Sequence, residues 1–273
     1  MMDLAAKPEH SALQVKNLTK RFGPLVAVDD VSFEAKPGEF ISVIGPSGCG
    51  KSTLFNAIGG MLADYEGQIL LDGVTNPARR AIGMVFQEES TFPWRTTLQN
   101  IAFPLEIVGT PKRERLERSR ELVKLVGLEG FEDHYPSEMS GGMRQRTAIA
   151  RTLAFGPRFL LMDEPFAALD EQTRILLGDK VLQIHQRLKQ TTLLITHNIT
   201  EAVQLSDRVL VMTYRPGRIK RIVDIDLPRP RSSEIVSSPR FGELVGTIWN
   251  DLREEASRGL AEGEKSPPPR RKS

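Results

Sequence analysis

The chain has 273 residues, enough for one large or two small domains around a sizeable core, and its 40% hydrophobic and 26% charged residues are those of an ordinary soluble globular protein. A net charge of +2 gives no field that argues for nucleic acid as a main partner. No apolar run approaches the roughly 18–20 residues of a spanning helix, residues 1–10 hold no apolar signal core, and the single cysteine, Cys49, excludes an intrachain disulfide. The expected location is therefore the cytosol, unless a partner holds the chain at a membrane.

Residues 1–12 are polar and read as a flexible N-terminus. Leu13-Gln14-Val15 alternates like a short strand, and Val28 to Glu34 reads as another, ended by Pro37-Gly38. Phe22 falls between them and is open to two readings, core packing or stacking on a base. Phe40-Ile41-Ser42-Val43-Ile44 is apolar and rich in β-branched residues, the mark of a buried strand, and Leu54 to Ile58 reads as the first turns of a helix. Between them lies Gly45-Pro46-Ser47-Gly48-Cys49-Gly50-Lys51-Ser52-Thr53, which fits the phosphate-binding loop G-x-x-x-x-G-K-[ST]. Its glycines let backbone N–H groups turn inward, and the positive start of a helix suits an anion. Lys51 would reach the β- and γ-phosphates, and Ser52 would place a hydroxyl on Mg²⁺. Cys49 has no role in the motif, but its position beside a nucleotide predicts reaction with thiol reagents. A nucleotide is the first hypothesis, and the loop alone does not distinguish a kinase, a GTPase or a motor.

Further along, residues 68–73 and 82–87 read as strands, the second ending on Gln87. A loop with Pro93-Trp94 follows, then a helix over 112–128 with Gly127 as its stop. Ser140 is a good N-cap for a helix that Gly156-Pro157 ends. Phe159 to Met162 is a run of apolar residues that fits a strand buried on both faces, and it delivers Asp163 and Glu164 to its C-terminal end, where open α/β sheets place ligand chemistry. Residues 171–190 read as a helix, 191–196 as a strand ending at His197, and 208–213 as a further strand. Strands alternating with helices imply a mostly parallel α/β sheet, and the helix-rich stretch from 95 to 157 implies an inserted helical subdomain. Beyond 228, residues 229–260 read as an extension with a helix around Phe241 to Ala256, and 261–273 as a disordered basic tail.

The order of these motifs carries more than any one of them. A phosphate loop is followed by Gln87, by Ser140-Gly141-Gly142 at a helix start, by Asp163-Glu164 and by His197 at strand ends. Residues 13–228 thereby resemble the ATP-binding subunit of an ABC transporter. The resemblance implies a P-loop NTPase fold with a mostly parallel core sheet, an N-terminal antiparallel β subdomain and the helical insertion. It implies ATP and Mg²⁺ as cofactors, with Gly45 to Thr53 holding the phosphates, Phe22 stacking on adenine, and Ser52, Gln87 and Asp163 on the metal side. Glu164 would be the general base, His197 would contact the γ-phosphate, and Gln87 would join the attacking water to a transmembrane partner. Ala168-Leu169-Asp170 matches the loop that crosses the dimer interface. In this family Ser140, Gly141 and Gly142 bind the ATP held by the other subunit, so one copy of each motif implies a dimer sharing two sites. The signature here is Met139-Ser140-Gly141-Gly142-Met143 rather than the commoner form ending in glutamine, and Asn198 stands where aspartate is common.

Val85-Phe86-Gln87-Glu88, Phe92-Pro93-Trp94, Met143-Arg144-Gln145-Arg146, Asp163-Glu164-Pro165-Phe166 and Arg215-Pro216-Gly217-Arg218 narrow the resemblance to the nitrate/sulfonate/taurine import group. It implies import of an anionic solute such as an aliphatic sulfonate, taurine or nitrate, at the cytoplasmic face of the inner membrane. The implied partners are a second copy of the chain, two separate permeases and, indirectly, a solute-binding protein. Bicarbonate or a pyrimidine or thiamine precursor would fit the same machinery. The loop 88–100 is the candidate permease-docking surface, the alternative being that Trp94 packs inside the helical subdomain. A soluble ABC ATPase of repair or translation would carry a coiled-coil insertion or two cassettes, and a small-molecule kinase leaves Ser140-Gly141-Gly142 and His197 unexplained.

Overall fold

The computed structural model describes residues 11–75, 81–87, 90–167 and 169–263. In chain order the strands are β1 (Leu13–Phe22), β2 (Leu25–Ala35), β3 (Phe40–Ile44), β4 (Glu66–Leu71), β5 (Val74–Thr75), β6 (Ile82–Val85), β7 (Phe159–Asp163), β8 (Thr191–Ile195), β9 (Arg208–Met212) and β10 (Ile219–Asp224). The helices are α1 (Lys51–Ile58), α2 (Thr97–Ile107), α3 (Lys112–Leu125), α4 (Gly141–Leu153), α5 (Glu171–Leu188), α6 (Ile199–Leu205) and α7 (Pro239–Gly263). One sheet is antiparallel, in the order β2-β1-β4-β5. The other runs β10-β9-β3-β8-β7-β6 and is parallel except for the β9–β10 pair. The expected P-loop NTPase architecture, a mostly parallel core sheet with an antiparallel β unit and a helical insertion, is therefore present.

Every residue of β3 and β8 is buried, including Ser42, Thr191 and Thr192, as in mostly apolar strands covered on both faces. Three cores follow from this layering. Leu18, Val31, Leu54, Phe55 and Leu210 fill the space between the two sheets and α1. Phe40, Ile101, Leu105, Leu128, Met162 and Leu194 join the parallel sheet to the helical insertion and α5. Ile44, Val209, Val211, Phe241 and Ile248 seat α6 and α7 on the far side. Fully burying one such side chain is worth about 1.5–3 kcal/mol, so the three cores hold the loops at the strand ends on a rigid frame.

Helix starts are capped by side chains that satisfy otherwise unpaired N–H groups. Thr96 and Gln99 form a capping box on α2. Ser140 accepts from Met143 N–H at 3.3 Å on α4, Asp170 from Thr173 N–H at 2.9 Å on α5, and Asn198 from Glu201 N–H at 3.1 Å on α6. Asn198 thus does the capping work an aspartate would do, without the charge.

Several boundaries differ from the sequence reading. Ala12, read as part of the flexible N-terminus, is buried and bonded on both sides, its N–H to the Ala35 carbonyl at 2.8 Å and its carbonyl to Asp72 N–H at 2.7 Å. α7 runs to Gly263, into the stretch read as tail; residues 1–10 and 264–273 lie outside the described residues. β10 was not expected, because Lys220 and Arg221 hide its pattern; both are paired with acids of α7. Between β10 and α7, Arg231 is 6% exposed and donates to the carbonyls of Ser206, Ile225 and Leu227.

Candidate active site

Because β3, β8, β7 and β6 are parallel neighbours, their C-terminal ends lie along one edge of the sheet. That edge carries in order the loop 45–53, His197, the pair Asp163-Glu164, and Gln87. Contiguous chain makes the loop; the other three arrive only through strand order.

The loop is shaped by its glycines. Gly50, with φ +98°, ends it just before α1, and a Cβ there would come 2.5 Å from the Ala27 carbonyl oxygen, so only glycine lets the loop pass β2 so closely. The Lys51 Nζ donates to the carbonyls of Gly45 at 2.8 Å and Pro46 at 3.1 Å, which curls the side chain over the loop. A groove of about 480 Å³ opens above. Ser47, Gly48, Gly50, Lys51, Ser52 and Thr53 line it, together with Phe22, Leu25, Ala27, Gln87, Glu164 and Arg215. Phe22 is half exposed at the end of β1, which resolves its two readings against core packing.

Gly45, Pro46 and Cys49, expected with the rest of the loop, do not line the groove. Gly45 and Cys49 are buried and Pro46 is partly buried. Cys49 is fully buried, with its thiol pushed up by that burial against the opposing pull of Lys51. The expected reaction with thiol reagents is thus corrected: reactivity needs an exposed thiolate, and this residue offers neither exposure nor charge. Cys49 in the native chain is expected to react with an aromatic disulfide reagent far more slowly than after unfolding in denaturant, as followed by thiolate absorbance. Equal rates would place the thiol outside the loop's interior.

The polar groups at the strand ends touch one another. The Glu164 carboxylate accepts from Gln87 Nε2 at 3.4 Å and lies 3.1 Å from His197 Nδ1. Glu164 takes a left-handed backbone, φ +45°, held by its N–H to the Ile195 carbonyl at 2.9 Å and by its own carbonyl accepting from Ala167 N–H at 3.1 Å. The Asp163 carboxyl is pushed up chiefly by burial and also by the charge of Glu164, against the opposing pull of the Ser52 hydroxyl and Lys51. Ser52, Asp163 and Gln87 supply hydroxyl, carboxylate and amide oxygen, a hard-oxygen set suited to Mg²⁺. Among the described residues no group of three or more His, Cys, Asp or Glu is placed to hold a metal ion.

The structure does not bring Ser140, Gly141 and Gly142 into this groove. They open α4 in the helical insertion, where Gly142 faces Thr173 of α5. Ala168 of the expected interface loop lies outside the described residues. Three groove residues were missed by sequence reasoning: Leu25 and Ala27 of β2, and Arg215 from the turn between β9 and β10. No spacing rule connects position 215 with the loop.

A glycine-rich loop between a central parallel strand and a helix, with two carboxylates on a nearby strand end, defines a P-loop nucleoside triphosphatase. Residues 28–167 match the family described as ABC transporter. An uncharacterized ABC transporter ATP-binding protein of Methanocaldococcus jannaschii is 51% identical over 91% of this chain and 94% of its own length. An aliphatic sulfonates import ATP-binding protein of Bacillus cereus is 43% identical over 84% of this chain and 89% of its own. A nitrate import ATP-binding protein of Synechococcus elongatus is 45% identical over 85% of this chain but only 36% of its own length. Among solved structures, a dimeric post-hydrolysis state of an ATP-binding cassette with ADP and Pi matches at a TM-score of 0.69 and 32% identity, over 79% of this chain and all of that one. The chain belongs to the ABC transporter family and is an ATP-binding subunit of the ATP-hydrolysing type.

Proposed function

We propose that this chain powers import of an anionic solute, such as an aliphatic sulfonate, taurine or nitrate, by hydrolysing ATP in a dimer bound to separate permeases. The observation that carries the mechanism is the contact of Glu164 with both Gln87 and His197, with Glu164 and Gln87 lining the phosphate-loop groove. In this reading Phe22 stacks on the base, and the loop N–H groups with Lys51 hold the phosphates. Glu164 takes a proton from a water that forms a bond to the γ-phosphorus as the bond to the β–γ bridging oxygen breaks. Gln87 and His197 hold that carboxylate and the γ-phosphate in line. Ser52, Asp163 and Gln87 would hold Mg²⁺, which supplies charge neutralisation on the phosphates when bound. Phosphoryl transfer needs positioning and charge more than covalent help, and these residue types provide both.

The dimer follows from a separation. Ser140, Gly141 and Gly142 form a capped helix start, favourable to an anion, that lies outside the chain's own groove. A second copy can bring its helix start to this groove, and the matched solved structure is dimeric. The solute class is supported by the sulfonate and nitrate import relatives.

Permease docking is supported by a groove of about 600 Å³ lined by Phe92, Phe103, Leu105, Ile107, Val108 and Phe155, with Arg118 and Arg151 at its polar side. Trp94 stands next to it, 71% exposed, its ring 5.6 Å from that of Phe92. The surface thus reaches beyond the loop 88–100 onto the end of α2. An exposed aromatic patch of this kind marks a partner. When the chain is purified from detergent-extracted membranes, two membrane subunits are expected to accompany it. Trp94→Ala is expected to reduce their recovery while leaving ATP affinity unchanged. Full recovery with that variant would end the docking assignment. Binding of sulfonates or nitrate by the associated solute-binding protein tests the solute class, and selective binding of a cationic or neutral solute would overturn it.

A further inference from the structure

We propose that Arg215 is a second cation of the nucleotide groove and contacts the phosphate chain of the bound nucleotide. This rests on the reading that the groove holds ATP. The Arg215 side chain lines the same groove as Lys51 and Phe22. Its Nε donates to the Gly48 carbonyl at 2.9 Å, so the guanidinium lies against the tip of the phosphate loop. Gly48 makes that approach possible. A Cβ there would fall 2.7 Å from Arg215 Nη2, and φ of +74° also favours glycine. Among the described residues the two terminal nitrogens make no further hydrogen bond or ion pair, which leaves their N–H groups for an anion in the groove. A guanidinium offers a planar fork to phosphate oxygens.

The turn that carries Arg215 is fixed before any ligand arrives. Thr213 N–H donates to the Arg218 carbonyl at 2.9 Å, and the Thr213 hydroxyl donates to the Pro216 carbonyl at 2.8 Å. Gly217 N–H donates to the Ala27 carbonyl at 3.1 Å, and its own carbonyl accepts from Asp29 N–H at 3.0 Å, so the turn is stitched to β2. From the opposite side Tyr214 N–H donates to Glu255 of α7 at 3.0 Å, and that buried carboxylate also pairs with Lys220 at 3.0 Å. The C-terminal helix therefore positions the arginine, and a preorganised contact loses little entropy on binding.

The test is titration of the full chain with ATP, ADP and adenosine, for the wild type, Arg215→Ala, Arg215→Lys and Lys51→Ala, with melting curves of each unliganded chain. Arg215→Ala is expected to weaken ATP and ADP by roughly tenfold, the scale of one charge-assisted hydrogen bond, and to leave adenosine unchanged. Arg215→Lys is expected to recover part of the loss, and the difference between arginine and alanine should shrink at high salt, as for an exposed charge. Unchanged ATP affinity in Arg215→Ala, with binding lost in Lys51→Ala, would overturn the proposal and leave the groove assignment standing. Equal weakening of ATP and adenosine would also overturn it, since that is the mark of a loop support. If Lys51→Ala too binds ATP normally, the groove assignment itself falls. Should the alanine variant melt early, the Arg215→Lys and salt comparisons decide.

Discussion

Glu164→Gln is expected to lower ATP turnover by at least about 10²-fold, the contribution of a positioned general base, while nucleotide binding persists. The exchange keeps the size of the side chain and its place between Gln87 and His197 but removes the proton acceptor. Held in a state that binds ATP and does not cleave it, the variant is expected to run as a dimer on size-exclusion chromatography with ATP and Mg²⁺, and as a monomer without them. Phosphate release measures the first effect. A variant that hydrolyses ATP at the wild-type rate would remove Glu164 from the role of base, and His197 would become the group to test next.

Arg231→Ala is expected to produce the largest loss of stability outside the groove. The guanidinium is the shared donor to the carbonyls of Ser206, Ile225 and Leu227, and it is almost fully buried. Truncation leaves those carbonyls without that donor and opens a cavity, with a cost on the order of 3 kcal/mol at about 1–3 kcal/mol for each buried polar group left unpaired. The melting temperature should fall by roughly 5–10 °C. ATP affinity of the fraction still folded should stay near that of the wild type, because Arg231 does not line the groove. Differential scanning calorimetry with a parallel ATP titration separates the two. A melting temperature unchanged by the substitution would show that water replaces the guanidinium at no cost.

The phosphate loop was legible because its chemistry is contiguous. One strand, nine residues and one helix contain both the shape and the charge of an anion site. Buried β3, β7 and β8 were legible for a related reason, since strands covered on both faces leave runs dominated by apolar residues, broken here only by Ser42, Asp163, Thr191 and Thr192. β1 was seen for only three of its ten residues, because bulges after Val15 and Leu18 break the alternation on which a sequence reading depends. Phe22 could not be assigned from its neighbours; its exposure and its place in the groove lining argue against core packing. Cys49 was misjudged because distance along the chain says nothing about which side of a loop a thiol faces. Arg215 was invisible as a groove residue, since it meets Gly48 only after β9 and β3 have paired.

The left-handed backbone of Glu164 bears on how this chain could change over generations. A non-glycine residue in that region carries a conformational cost of about 1–3 kcal/mol, and here the surrounding hydrogen bonds hold it in place. Asparagine or glycine at position 164 would relieve that cost. Selection for thermal robustness alone would thus drift toward a sturdier subunit without a carboxylate at this point, and only selection for transport would bring it back. Libraries screened for heat resistance and then for turnover should therefore split at this codon, with tolerant clones and working clones carrying different residues.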